Sequence, residues 1–208
     1  MDEPPVTSPP RTRLLDLVTV LLLSVTAVLT AWCGFEASKW GGEMSIAFSQ
    51  ASSARVQAAA AESTAQAARQ YDLTIYTEWV LAEADGRGEL VSFIEERFTD
   101  EFRVAFDAWI AEGRQSRGPF AMDEYVPPGT EEAAELHARA DAKFDEALAN
   151  NQRGDDYSLL TVLFALVLFF AALSQNQRAT WRRLTFLGLG LVLGLAGVVV
   201  LATFPIKI

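Results

Sequence analysis

The stretch LLDLVTVLLLSVTAVLTAWCG, residues 14–34, decides the fold class of this chain. Its only charged residue is Asp16, near the basic residues Arg11 and Arg13. A helix needs ~17–25 mainly apolar residues to cross a bilayer. Two more stretches meet this requirement, YSLLTVLFALVLFFAAL (157–173) and LTFLGLGLVLGLAGVVVLATF (184–204). The sequence therefore predicts three transmembrane helices.

Two secretory alternatives for the first stretch fit its sequence less well. A cleaved signal has an apolar run of ~7–15 residues followed by a small-x-small cleavage site, and this run is longer and lacks that site. A lipoprotein signal requires a small residue before its cysteine, whereas Trp32 precedes Cys33. We therefore interpret the stretch as a retained span.

The counts of cysteine and histidine exclude several classes of site. Cys33 and His137 are the only residues of their types. An intrachain disulfide, a Cys-x-x-Cys redox pair and a Cys/His zinc site are thus excluded. The sequence predicts no cofactor and no metal, and we interpret Cys33 as a small apolar residue of the first span.

Basic residues predict the orientation. Arg11 and Arg13 precede the first span, and Arg178, Arg182 and Arg183 lie between the last two spans. These segments must share one side of the membrane, and the positive-inside rule makes it the cytoplasm. The central segment holds 24 of the 27 acidic and 11 of the 17 basic residues, a net charge of −13. Such a surface disfavours nucleic acid as a partner.

These observations predict an all-α protein with three transmembrane helices and an extracytoplasmic helical hairpin or bundle domain between spans one and two. The predicted segments are a cytoplasmic tail (1–13), transmembrane helix 1 (14–35), an acidic extracytoplasmic domain (36–156), transmembrane helix 2 (157–174), a cytoplasmic loop (175–183), transmembrane helix 3 (184–204) and an extracytoplasmic tail (205–208).

Three helices are predicted within the central domain. The first covers 43–84, which contains neither Pro nor Gly and presents a narrow face of small residues. A turn at 85–88 ends it. The second begins near Glu89 and carries an apolar stripe that we interpret as core: Leu90, Phe93, Ile94, Phe98, Phe102, Phe106, Trp109 and Ile110. The third begins after Thr130, a predicted N-cap, ends near Asn150 and leads to span two with an interruption or kink at Gly154.

The segment AWCGFEASKWGGE, residues 31–43, together with the Ala/Ser/Gln-rich helix and the aromatic segment 98–109, resembles a group of uncharacterised bacterial inner-membrane proteins with one N-terminal and two C-terminal spans. The resemblance implies this topology and a bacterial source. It carries no catalytic residue across.

Glycines and tryptophans supply the structural sites that the sequence predicts. Gly190 and Gly194 are four residues apart in span three and would allow close helix packing, within one subunit or between subunits. Span one offers a matching set of small and hydroxyl residues, whereas span two looks lipid-facing. Trp32, Trp40 and Trp181 are predicted interface anchors.

No motif in the sequence indicates catalysis. The adjacent acids Glu95-Glu96, Glu131-Glu132 and Asp155-Asp156 point about 100° apart on a helix and do not converge. Arg153-Gly154-Asp155 spells an adhesion tripeptide that recurs by chance. We therefore expect a non-enzymatic protein whose outer domain mediates interaction or assembly, with membrane lipid, an unknown protein partner or a homo-oligomer as its partners. A channel or transporter component is the alternative.

Overall fold

A computed structural model describes the backbone of residues 10–207 and the side chains of residues 14–207. These residues form helices and no strand. The five α-helices are α1 (Pro10–Ala84), α2 (Gly88–Glu95), α3 (Asp100–Ala111), α4 (Thr130–Gln175) and α5 (Thr180–Leu201), and a short 3₁₀ helix covers Pro119–Ala121. The prediction of an all-α fold is confirmed.

Three of the described helices are long and apolar enough to cross a membrane: α1, α4 and α5. Their apolar windows have mean hydropathies of 2.3, 2.3 and 2.5. This agrees with the three predicted spans and is compatible with a multi-pass membrane protein.

The chain divides into two compact units. The terminal unit comprises Met1–Ala47 and Asp145–Ile208, and the central unit comprises Phe48–Phe144. The division lies inside the predicted outer domain of 36–156, because the segments that follow span one and precede span two pack with the spans.

In the terminal unit, span two is the most buried of the three apolar windows, at 33% against 11% and 17% for those of α1 and α5. Its buried face repeats every three or four residues: Tyr157, Leu160, Phe164, Val167, Ala171 and Ser174. The prediction that span two faces lipid is therefore wrong. It relied on the scarcity of small and polar residues, yet large apolar side chains fill the space that the glycines of α5 leave open.

α4 continues through Gly154, so the predicted interruption there is wrong. A Cβ at Gly154 would lie 3.5 Å from the Ala37 carbonyl oxygen and 3.7 Å from the Trp40 Cβ. The glycine thus allows α1 and α4 to approach closely within the terminal unit.

In the central unit, an alanine seam joins α1 to α4. Ala51, Ala54, Ala58 and Ala61 are buried at alternating spacings of three and four residues, the repeat of coiled-coil helices. Ala133 and Ala140 are buried on α4. Phe48 contacts Phe144 with ring centroids 5.4 Å apart, and His137 Nε2 lies 2.8 Å from Glu62 Oε1. These pairs show that the two segments run antiparallel.

An aromatic core closes the central unit beyond the seam. Its buried members are Trp79, Ala82, Ile94, Phe98, Phe102, Phe106 and Trp109. The indole N–H groups of Trp79 and Trp109 donate to Glu95 Oε1 at 2.8 Å and to the Ser116 carbonyl at 2.9 Å. The stripe is core as predicted, except that Phe93 and Ile110 are exposed.

The predicted second helix is two helices, because α2 ends at Glu95 and a new helix starts after Thr99. The Thr99 side chain accepts a hydrogen bond from the Phe102 backbone N–H, and Asp100 and Glu101 occupy the first turn of α3. This is an N-cap with acids at the positive end of the helix dipole. The break redirects the chain so that aromatic residues of both helices reach one core.

Candidate functional site: a buried carboxylate at one end of the spans

Glu36 is fully buried in the terminal unit, at 0% exposure. Its Oε2 accepts a hydrogen bond from the Lys207 backbone N–H at 3.0 Å. Its Oε1 is buried and has no hydrogen-bond partner. A carboxylate out of water is costly unless it is paired and hydrogen-bonded, and buried ionisable groups in membrane helices mark functional sites by default.

The segment Phe204–Lys207 covers Glu36. The Tyr157 hydroxyl donates to the Pro205 carbonyl at 2.9 Å, and the Tyr157 and Phe204 rings meet edge to face at 5.3 Å. The Lys207 backbone N–H donates to Glu36, and the Lys207 Nζ lies 3.1 Å from Glu43 Oε1. The segment Phe204–Lys207, which follows the end of α5 at Leu201, is thereby held against α1 and α4.

Trp40 lies one turn beyond Glu36 on α1 and is 5% exposed. The Arg153 Cζ lies 4.7 Å from its ring centroid and the Lys207 Nζ lies 5.3 Å from it, both within cation–π range. The Trp40 indole N–H has no hydrogen-bond partner, unlike those of Trp79 and Trp109. A buried acceptor and a buried donor therefore remain unsatisfied one helical turn apart.

We call Glu36, Trp40, Glu43, Arg153, Tyr157 and Lys207 the Glu36 site. It combines two carboxylates, two cations and two aromatic rings. Such a set can recognise charged groups by ion pairing and by cation–π contact. Within residues 14–207, no group of three or more His, Cys, Asp or Glu is placed to hold a metal ion.

The predicted packing glycines are both buried on α5. A Cβ at Gly190 would lie 3.5 Å from the Val167 carbonyl oxygen, and one at Gly194 would lie 3.6 Å from Val167 Cγ1 and 3.8 Å from Leu22 Cδ1. These glycines contact spans two and one of the same chain. Thr19 and Thr26, from the matching set on span one, are also buried.

The three predicted tryptophan anchors are placed differently. Trp32 is 38% exposed and Trp181 is 66% exposed. Anchoring at an interface stays a prediction for these two. Trp40 is buried inside the terminal unit with Cys33, Tyr157 and Leu160, and its role as an anchor also stays a prediction.

Asp72 is a second buried carboxylate, in the central unit, and it is fully satisfied. Its Oδ1 accepts from the Thr99 hydroxyl at 2.7 Å and its Oδ2 from the Tyr125 hydroxyl at 2.8 Å. Burial, followed by this hydrogen bond, raises the pKa of Tyr125. Because each oxygen has a donor from the chain itself, Asp72 ties α1 to Thr99 and Tyr125.

The remaining charged residues singled out by the sequence, where the structure describes their side chains, make separate contacts. Asp16 pairs with Arg183 near one end of the spans. Of the adjacent acids, Glu95 accepts from Trp79, while Glu131, Glu132 and Asp155 are exposed. His137 Nε2 contacts Glu62 Oε1, and both side chains are about half exposed.

A heptad signal in the sequence points to Glu36. Thr19, Thr26, Cys33 and Trp40 follow one another at seven-residue intervals, and all four are buried. Extending this repeat beyond the apolar stretch places Glu36, three residues after Cys33, on the same buried face. Hydropathy alone ends the span at this residue and so assigns Glu36 to solvent.

No protein-family model, curated protein or solved structure matches this chain. The resemblance to uncharacterised inner-membrane proteins therefore stays a prediction.

Proposed function

We propose that this chain is a non-enzymatic, multi-pass protein of the bacterial inner membrane whose central unit binds another protein. The proposed orientation places the N-terminus in the cytoplasm and the central unit in the periplasm or outside the cell. The arrangement of basic residues supports this orientation.

One observation in particular supports protein binding by the central unit. A groove of about 650 Å³ lies at the start of α2, lined by Arg87, Gly88, Glu89, Leu90 and Phe93. Phe93 is 51% exposed although it belongs to the apolar stripe that otherwise forms the core. The Arg97 Cζ lies 3.3 Å from the Phe93 ring centroid. Aromatic and arginine side chains are enriched at the centres of protein interfaces.

Site-specific photocrosslinking in native membranes tests the proposal. A photoreactive residue at position 93 is expected to give a discrete adduct with a protein, either another copy of this chain or a different one. The matched control is position 73, because Leu73 is exposed to the same degree, 52%, on the same unit. Equal labelling at both positions, or none at either, would contradict the proposal.

A channel or transporter component is the second candidate, favoured by the buried Glu36. Ionisable groups among spans mark ion paths and proton relays in many membrane proteins. Ion flux through reconstituted liposomes that disappears in Glu36→Gln would support this function. Flux equal to that of empty liposomes would remove it.

A further inference from the structure

We infer that the Glu36 site is a binding site for a primary ammonium group, and that Lys207 occupies it as a tethered ligand. This inference concerns only the terminal unit and goes beyond the proposed protein-binding function. Its starting point is the unpartnered Oε1 of Glu36, a buried acceptor that the chain itself leaves unsatisfied.

The geometry around Lys207 is that of an ammonium site. Its Nζ lies 3.1 Å from a Glu43 carboxylate oxygen and 5.3 Å from the Trp40 ring centroid. A carboxylate beside an aromatic face is the usual means of recognising an ammonium ion, by charge and by the ring quadrupole. An ammonium group carries three N–H donors, and the carboxylate oxygens of Glu43 and Glu36 supply acceptors of matching charge.

Charge also favours a monocation over other ligands. Without the Lys207 ammonium, the Glu36 site keeps two carboxylates, Glu36 and Glu43, and one guanidinium, that of Arg153 over the Trp40 ring. A single positive charge balances this set. A primary ammonium would in addition donate to Glu36 Oε1, which a quaternary ammonium cannot do because it has no N–H.

The segment Phe204–Lys207 covers the site, and only its Lys207 side chain fills the ammonium position. This segment supplies the N–H on Glu36 Oε2, the carbonyl on Tyr157 and the ammonium beside Glu43. A competing amine would therefore act first on Lys207. Two sources carry this group at the edge of a membrane span, a soluble alkylamine and the ethanolamine headgroup of a phospholipid.

The experiment vacates the ammonium position with Lys207→Ala in the full chain, which keeps the backbone hydrogen bond to Glu36 Oε2, and follows thermal unfolding in detergent. Butylammonium chloride is expected to raise the Tm of Lys207→Ala by roughly 2–4 °C above the effect of equimolar NaCl or tetramethylammonium chloride. Wild type and Lys207→Arg should respond less, because a tethered cation already occupies the site. The double variant Glu36→Gln/Lys207→Ala should lose the specific response.

Lys39→Ala is the matched control. Lys39 also lies over an aromatic ring, 5.9 Å from the Phe35 centroid, and it has no part in the Glu36 site. A butylammonium response that is equal in Lys39→Ala and Lys207→Ala, or that persists in Glu36→Gln/Lys207→Ala, would overturn the inference. Circular dichroism before heating confirms that each variant is folded.

A lipid arm separates the two sources of ammonium. Lys207→Ala is placed in nanodiscs of phosphatidylcholine alone or with phosphatidylethanolamine. Extra stability with phosphatidylethanolamine that depends on Glu36 identifies the headgroup as a ligand, whereas a response to butylammonium alone identifies a soluble amine. No Glu36-dependent response in either arm would refute the site.

Discussion

Gly197 is the glycine of α5 that leaves the least room for a side chain. A Cβ there would lie 2.8 Å from Phe164 Cε1 and 3.2 Å from Leu163 Cδ2, whereas a Cβ at Gly188 would meet nothing within 4 Å. We expect Gly197→Ala to destabilise the terminal unit by about 1–3 kcal/mol, the usual cost of overpacking. Gly188→Ala is the control, and it should leave the Tm in the same detergent unchanged.

Equal Tm values for Gly197→Ala and Gly188→Ala would contradict this prediction and show that Phe164 moves aside without cost. Lowered stability of Gly188→Ala alone would place the close contact on the opposite face of α5.

Tyr125 makes the stability of the central unit sensitive to alkaline pH. Its pKa is raised by burial and by the hydrogen bond to Asp72, so the unfolded chain releases the phenol proton at a lower pH than the folded chain. The stabilisation is complete below the ordinary tyrosine pKa of about 10 and is lost as pH rises above it. Denaturant unfolding of the detergent-solubilised chain at several pH values measures this decline.

Tyr125→Phe should lose stability less steeply above pH about 10 than the wild type does. A shallower decline remains in that variant, because burial also raises the pKa of Tyr76. Tyr71→Phe is the control, since Tyr71 is exposed. If the stability of Tyr125→Phe depended on pH as that of the wild type does, Tyr125 would not be the cause of the alkaline loss of stability.

At the scale of elements, the helix break at Thr99 depends on one side chain. Its hydroxyl oxygen accepts from the Phe102 N–H, and its hydroxyl donates to Asp72. We expect Thr99→Ala to lower the free energy of unfolding of the central unit by about 1–2 kcal/mol, since both the cap and a partner of a buried carboxylate are lost. Thr99→Ser should restore most of it.

Thr64→Ala is the matched control for this cap. The Thr64 hydroxyl bonds only to the Ala60 carbonyl one turn back in an exposed stretch of α1. Amide hydrogen exchange in the first turn of α3 reports the cap directly. Exchange that is as slow in Thr99→Ala as in the wild type would show that the cap contributes nothing.

The sequence predicts the helical segments but not their continuity, because span one joins the first domain helix in α1 and the last domain helix joins span two in α4 without a break. The end of the first helix at Ala84 and the start of the last domain helix near Thr130 are confirmed. The sequence analysis does not predict the break before α3. Apolar residues recur at every fourth position on both sides of the break, so the stripe looks like one face of a single helix. The signal was present in Thr99 followed by Asp100 and Glu101, which is typical of a helix start.

At the scale of the whole molecule, the orientation of the spans is testable with fusions. A reporter that works only in the cytoplasm should be active after Gln177, within the Arg-rich loop, and inactive after Gly118, within the central unit. The reverse pattern would invert the proposed topology. A second reporter, active only outside the cytoplasm, should give the complementary result at the same two positions.

Hydropathy does not predict that Glu36 is buried. Composition locates the apolar stretches, but it ends span one just before Glu36. Glu36 is buried because Tyr157 from α4 and the segment after α5 cover it, and these lie more than a hundred residues away along the chain. Such a contact follows from tertiary packing and has no local signature except the heptad repeat.

In the central unit, the alanine seam determines how closely α1 and α4 pack, but it does not determine their alignment along the helix axes. Alanines bring α1 and α4 close together, yet each methyl is a shallow knob, and a slip of seven residues would again set alanine against alanine, as Ala54 and Ala61 show. Alignment along the helix axes must therefore come from the bulky and charged pairs beside the seam. These are Phe48 with Phe144, Arg55 with Asp141 and Glu62 with His137. The seam sets the distance between the two helices, and the three pairs fix their register along the axis.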